Sequence, residues 1–408
     1  MAKLRVGSSY WVDRFVGRPP QFAPLTGKHT VDVAVIGGGI TGCLAAHTLA
    51  AAGARVALLE AARIGAGSTA ASTALLMQEP DVDFRDLAAR YGRPRTRRVW
   101  MQSARAVRRL TELLDRLEIR ASLAHVPSVY WTDEPPVARD LQRELTRRHH
   151  AGIHGRWLSP SALRHATGLD GAGGILTRGN GQIDPYRACL GLAQRARAEG
   201  ARIAEHSRAR RVIGSCSGVQ IDLHRAQIHA GWVVIATGYA TPEFKPLAGR
   251  FRMSNTYVIA TAPISRALRR QVGLGDVMLW DTHTPYHYLR WTPDRRLLFG
   301  GQDEPRLPGR SRRRALERHA RSLLQQLVAF FPALEGITAE YAWEGLFATT
   351  ADGLPYIGTH RRYPRHLFAL GYGGNGMTFA YLAAEIISAK LAGSTSKDDE
   401  FYGFGRLR

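Results

Sequence analysis

Gly37, Gly39 and Gly42 form a G-x-G-x-x-G array between an apolar run, Val31 to Ile36, and a small-residue stretch that closes at Gly53. A second apolar run follows and ends at Glu60, 18 residues past Gly42. The order strand, tight turn, helix, strand, acid is that of a dinucleotide-binding βαβ unit. In such a unit Gly37 permits the turn, Gly39 lets the backbone approach a pyrophosphate, and Gly42 brings the helix close to the strand. Ile40 and Thr41 open the helix, whose unpaired N–H groups and dipole favour an anion. Glu60 is placed to accept hydrogen bonds from ribose hydroxyls.

A second set lies far along the chain. In Tyr286-His287-Tyr288-Leu289-Arg290, strand alternation puts Tyr286, Tyr288 and Arg290 on one face. Two phenols and a guanidinium suit an amine that carries a remote carboxylate, and these three are the candidate catalytic residues. The competing reading is a sheet face packed on the core and capped by Arg290. Trp280 and Phe347 are aromatic walls of the same site or core residues. Further glycine-bearing turns occur at Gly65 to Ser68, Ala236-Thr237-Gly238 and Gly371 to Gly376. A flavin dinucleotide is long and buried, so several loops of close backbone approach fit FAD better than a nicotinamide cofactor. No metal set is expected: Cys43 and His47 form an i,i+4 pair without further ligands.

These residues need a scaffold of two kinds. Trp232 to Ala236 is fully apolar, as a buried parallel strand requires. Pro185 and Gly200 bracket a helix. By contrast, 251–262, 277–280, 286–291 and 297–299 read as strands of an antiparallel sheet, followed by an amphipathic helix over 312–331. The expected fold class is α/β: a doubly wound, Rossmann-like FAD-binding domain interleaved with an α+β antiparallel-sheet substrate domain. Residues 1–80, 165–245 and 335–408 are assigned to the first, and 81–164 and 246–334 to the second. The first 30 residues are read as an extended arm.

The formal net charge is +22, and only five of the 56 basic residues are lysine: Lys3, Lys28, Lys245, Lys390 and Lys397. The arginines are scattered, and no nucleic-acid motif accompanies them, so a solvated surface is the reading adopted; an anionic partner is the alternative. Three widely spaced cysteines fit a reduced compartment. The N-terminus has no apolar secretory core, and the run from Leu367 to Ile387 is interrupted by glycines. A cytoplasmic protein without a membrane span is therefore expected, with no oligomeric state assigned.

Several longer motifs resemble one family. They are Ser9-Tyr10-Trp11, VIGGGITG (Val35 to Gly42), EAARIGAGST (Glu60 to Thr69), GQIDP (Gly181 to Pro185), VVIATG (Val233 to Gly238), LLFGGQDE (Leu297 to Glu304), DGLPYIG (Asp352 to Gly358) and GYGGNGMTFA (Gly371 to Ala380). Together they are similar to the FAD-dependent amine and amino-acid oxidoreductases of the D-amino acid oxidase, glycine oxidase and sarcosine oxidase type, nearest the γ-glutamylputrescine oxidase-like branch. The resemblance implies that Gly37, Gly39 and Gly42 hold the pyrophosphate and Glu60 the adenosine ribose. It places Arg63, Gly67 and Ser68 along the cofactor, Val212 at the adenine, and Thr237 and Gly238 near the pyrophosphate. Gly373, Gly374, Asn375, Gly376 and Met377 would aim N–H groups at the flavin N1/O2 edge, where reduced flavin is negative.

The implied activity is oxidation of a C–N bond in a small amine or amino-acid derivative, by hydride transfer to flavin N5, giving an imine that hydrolyses. The electron acceptor is O2 or another acceptor. Phe347 stands where glycine oxidase and its relatives place a carboxylate-binding arginine, which argues against a plain α-amino acid. Gly345 and a histidine-free loop at 63–73 replace covalent flavin anchors, so the implied FAD is non-covalent. No lysine lies between Lys245 and Lys390, and Thr378 replaces an oxygen-activating lysine. One alternative is therefore an FAD dehydrogenase for a cyclic or N-substituted amino acid. A non-enzymatic alternative is a basic, nucleic-acid-binding flavoprotein.

Overall fold

The computed structural model describes residues 5–407; residues 1–4 and Arg408, the ends of two expected FAD-domain pieces, lie outside that range. An eight-stranded sheet is built on five parallel strands in the order Arg202–Ala204, Val56–Leu59, Gly27–Ile36, Ala226–Gly238 and Tyr363–Leu370. The central two are buried on both faces, and Val33, Ala34, Val35, Val233, Val234 and Ile235 are at most 3% exposed. That burial explains the continuous apolar runs in the sequence. The Ile40–Ala51 helix packs on this sheet against the Pro185–Ala198 and Gly376–Leu391 helices, all three rich in alanine and glycine.

The second sheet has nine strands and is antiparallel except where Met278–Asp281 runs parallel to Ser128–Thr132. The Arg312–Phe330 helix covers its outer face, with Leu316, Leu323 and Leu327 buried there. Its membership corrects three expected boundaries. Gly173–Thr177 pairs with Ser128–Thr132, and Ala339–Thr349 pairs with Arg252–Thr261, so both belong to this sheet and not to the nucleotide-binding pieces. Arg5–Gly7, read as part of an extended arm, pairs with Trp343–Gly345. A short helix follows at Tyr10–Asp13. These strands find partners far away in sequence, which local composition does not reveal.

The arm has a positional role. Trp11 is 2% exposed, and its Nε1 donates to Ser72 O at 2.8 Å. Ser9 Oγ donates to Ala70 O, and Trp343 Nε1 donates to Ala71 O. Consecutive carbonyls of the segment joining the two sheets are thus held by side chains from distant parts of the chain. Among the described residues no helix is long and apolar enough to cross a membrane.

Candidate active site

One cavity runs from the Gly37–Thr41 turn, across the 65–73 segment, to the inner face of the nine-stranded sheet. Its floor is shaped by glycines. Gly37 has φ +112°, and a Cβ there would fall 2.4 Å from Ala236 O. A Cβ on Gly42 would fall 1.8 Å from Gly37 O, so Gly42 sets the approach of helix to strand and does not itself line the cavity. Its expected place against a pyrophosphate is corrected to a packing role. Gly37, Gly39, Ile40 and Thr41 do line the cavity. Ile40 N–H already donates to Thr69 Oγ1 at 3.0 Å, which leaves the following first-turn donors without intrahelical acceptors.

Glu60 lines the same end, with Oε2 accepting from Gly38 N–H and Oε1 from Ala62 N–H, each at 2.7 Å. The carboxylate is thereby fixed in position with lone pairs remaining for ribose hydroxyls. Arg63, also on the lining, pairs with the buried Glu205 at 3.0 Å. Val212, Gly67, Ser68, Thr237 and Gly238 complete this half.

The loop before the Gly376–Leu391 helix departs from expectation in its details. Gly373, Gly374, Gly376 and Met377 line the cavity. Gly373 N–H, however, donates to Ala348 O at 3.0 Å, and Gly374 N–H donates to Asp81 Oδ2 at 2.5 Å. Asn375 is 2% exposed, donates through Nδ2 to Glu79 O, and is not part of the lining. Its role is corrected to bracing the loop. The donors left for a ligand at this end are the N–H groups of Gly376 and Met377, which open the helix.

At the far wall stand Trp280, Tyr286, Tyr288, Thr256 and Phe347. Tyr288 pairs across the sheet with Gly300, where a Cβ would fall 2.3 Å from the phenol ring; glycine there makes room for the ring. Tyr288 Oη and Thr256 Oγ1 lie 2.8 Å apart. Tyr286 sits just before the Tyr288–Trp291 strand and still reaches the cavity. Burial raises both phenols above their ordinary pKa, so they are neutral donors near pH 7.

Arg290 is the main correction. It shares a sheet face with Tyr288 but is 1% exposed and lies behind the lining. Its Nη1 donates to Thr73 O, Ala74 O and Ile183 O at 2.8–3.1 Å. The guanidinium stacks on Trp11 at 5.3 Å, and desolvation pulls its pKa down to about 9. It is a structural brace, not a substrate clamp. Thr378, which donates to Met77 O and is fully buried, is likewise internal.

Sequence reading missed two carboxylates. Asp81 lines the cavity and also an adjoining pocket, of which Asp303 forms part without lining the cavity itself. Desolvation, the larger cause in each case, raises both to about pKa 6, and Asp303 adds to the rise at Asp81 by repulsion. Asp303 Oδ1 is buried and has no protein partner, and neither has Trp280 Nε1. Asp303 was visible in LLFGGQDE, but a bulge reverses the alternation there: Gln302 has φ +56° and bonds outward to Ser322, while Asp303 turns inward.

The model of one family, "FAD dependent oxidoreductase", matches residues 32–390. The chain belongs to the FAD-dependent oxidoreductase family. Gamma-glutamylputrescine oxidoreductase of Escherichia coli is 28% identical over 396 residues, covering 93% of this chain and 88% of the relative. Probable oxidoreductase OrdL of Haemophilus influenzae is 25% identical and covers 94% and 88%. The structure of glycine oxidase from Geobacillus kaustophilus superposes with a TM-score of 0.76 at 22% identity, covering 90% of this chain and 96% of that one. The α/β architecture expected from sequence is that of this family, and the protein is an FAD-dependent oxidoreductase of the amine and amino-acid oxidase type.

The site suits FAD on its own evidence. A glycine floor opens onto helix N-termini at both ends, and Glu60 is poised for a ribose. Among the described residues the lining contains neither cysteine nor histidine. Glu60, Arg63 and Val212 would hold the adenosine, Gly37 to Thr41 the pyrophosphate, and Gly376 and Met377 the flavin edge.

Proposed function

We propose that this enzyme oxidises the C–N bond of a small cationic amine bound between the flavin and the Trp280–Tyr286–Tyr288 wall. FAD, when bound, would supply the hydride acceptor; the bound ammonium must first give a proton to solvent, because only the neutral amine can release a hydride from its α-carbon and leave an imine, which hydrolyses in water. The chain's own residues bind, orient and desolvate. The aromatic wall gives a cation a favourable face, and Asp81 and Asp303 give it opposite charge.

The observation that carries this reading is the pairing of two carboxylates with the aromatic wall while Arg290 is turned away. A carboxylate clamp from that strand, expected from alternation, is thereby withdrawn. The hydrocarbon part of the substrate would rest on Phe347, which lines the same cavity.

The test uses Asp303→Asn and the pH profile of KM. Both carboxyls sit near pKa 6, so protonation below about pH 6 removes the attraction. For a cationic amine KM is expected to rise as pH falls through that range. At pH 8 Asp303→Asn should raise KM about tenfold, the equivalent of about 1.4 kcal/mol, with flavin content unchanged. Stability should not suffer. A raised carboxyl favours the folded state below its unfolded pKa near 4, and that contribution is lost as pH rises through 6. The neutral amide should leave the melting temperature at pH 8 equal or higher. An unchanged KM at pH 8 would remove Asp303 from the substrate site.

A further inference from the structure

On the outer face of the nine-stranded sheet, opposite the aromatic wall, three side chains converge. We propose that Asp281, His283 and His287 form a binding site for one divalent transition-metal ion of the zinc type, a site that pins the segment bearing Tyr286. Each residue offers one ligand atom, and the three atoms lie within 4.8 Å of one another.

The detail favours coordination. Asp281 Oδ2 stands 2.9 Å from His283 Nδ1 and 2.8 Å from His287 Nδ1. Neighbouring ligands of a six-coordinate ion bound at about 2.0–2.2 Å stand about 2.8–3.1 Å apart, as these do, and a tetrahedral zinc would need them to part by about half an ångström. The other carboxylate oxygen, Oδ1, is already used: it accepts from the backbone N–H groups of His283 and His287 at 3.1 and 2.9 Å. The carboxylate is therefore oriented with Oδ2 toward the rings.

The far side of each ring is held as well. His287 Nε2 lies 3.2 Å from Gln326 Oε1, and that oxygen also accepts from Gln302 Nε2 at 2.7 Å. On the near side of the ring, Nδ1 makes a hydrogen bond with Asp281 Oδ2 at 2.8 Å, the contact an ion would replace. His283 Nε2 faces Asp133 Oδ1 at 3.3 Å, while its Nδ1 is buried beside Asp281 Oδ2. Three potential ligand atoms thus converge, with an outer partner beside each imidazole. That is the arrangement by which proteins orient metal-binding histidines. Two imidazoles and one carboxylate suit a first-row divalent ion with a position left for water. Asp281 and His287 are 2% and 8% exposed, while His283 is partly exposed and offers a way in.

The site would act at a distance. Asp281 ends one strand and His287 precedes the next, so an ion closes the connection that carries Tyr286. It would hold the aromatic wall from behind without touching the cavity.

The experiment uses tag-free, FAD-loaded protein, dialysed against a chelator and titrated with Zn2+ alone. One zinc per chain should be retained after desalting, with a higher melting temperature. Co2+ should give the visible bands of a nitrogen- and oxygen-ligated ion. His283→Ala, at the partly exposed position, should abolish both signals while keeping FAD. Gln326→Ala, which frees the His287 ring, should weaken Zn2+ binding about tenfold. Equal zinc retention and equal melting shifts in the wild type and His283→Ala would overturn the proposal. So would failure of the wild type to retain zinc or bind cobalt, which would leave protons to bridge the three groups.

Discussion

Gly42→Ala is expected to yield protein without bound flavin. The added methyl would fall 1.8 Å from Gly37 O, a backbone atom that cannot swing aside. Relief requires the helix to move off the strand, and that displaces the N-terminal donors from the place of the pyrophosphate. Gly37 cannot yield, because its own φ of +112° is one that only glycine adopts readily, and Ala236 O stands directly beyond it. The check is the ratio of flavin to protein absorbance after purification and after reconstitution with excess FAD. A variant that retains a full complement of flavin would contradict the role given to this packing. Gly39 offers the graded control, since a Cβ there would meet only Thr69 Oγ1, at 3.1 Å.

The second large effect concerns Arg290. Removing its side chain leaves the carbonyls of Thr73 and Ile183 buried without this donor, while Ala74 O keeps only the Ile183 N–H, at 3.3 Å. Each unsatisfied group costs about 1–3 kcal/mol, so Arg290→Ala should lose at least about 2 kcal/mol of stability, measured as the shift in urea midpoint. Arg290→Lys should rescue little, because one ammonium cannot reproduce the planar fork or its stacking on Trp11. At a temperature where the variant is folded, KM for the amine should stay near the wild-type value. A stable variant with a raised KM would return Arg290 to the substrate site.

The contrast between these residues shows what the sequence makes legible. The nucleotide-binding turn is a local device: its glycines, strand and helix are neighbours in the chain, and spacing alone determines their geometry. Strand alternation placed Tyr286, Tyr288 and Arg290 on one face, and Tyr288 and Arg290 do share it. Alternation carries no information on depth, and the Thr73–Ala74 segment, arriving from more than 200 residues away, covers Arg290 but not Tyr288. Asp303 was hidden by a bulge, and Asp281, His283 and His287 by a turn that gathers residues with no familiar metal-ligand spacing. Gly173–Thr177 and Ala339–Thr349 were misassigned because their domain is decided by pairing partners and not by their own composition.

In the proposed function a cationic amine meets the flavin at the acidic, aromatic end of the cavity. Anaerobic mixing of the FAD-loaded enzyme with a panel of amines and α-amino acids, followed through the flavin's visible absorbance, tests this most directly. Bleaching is expected with a small cationic amine and is expected to be weaker with α-amino acids matched in length. Bleaching by α-amino acids alone, or by none of the panel while dithionite still reduces the flavin, would contradict it.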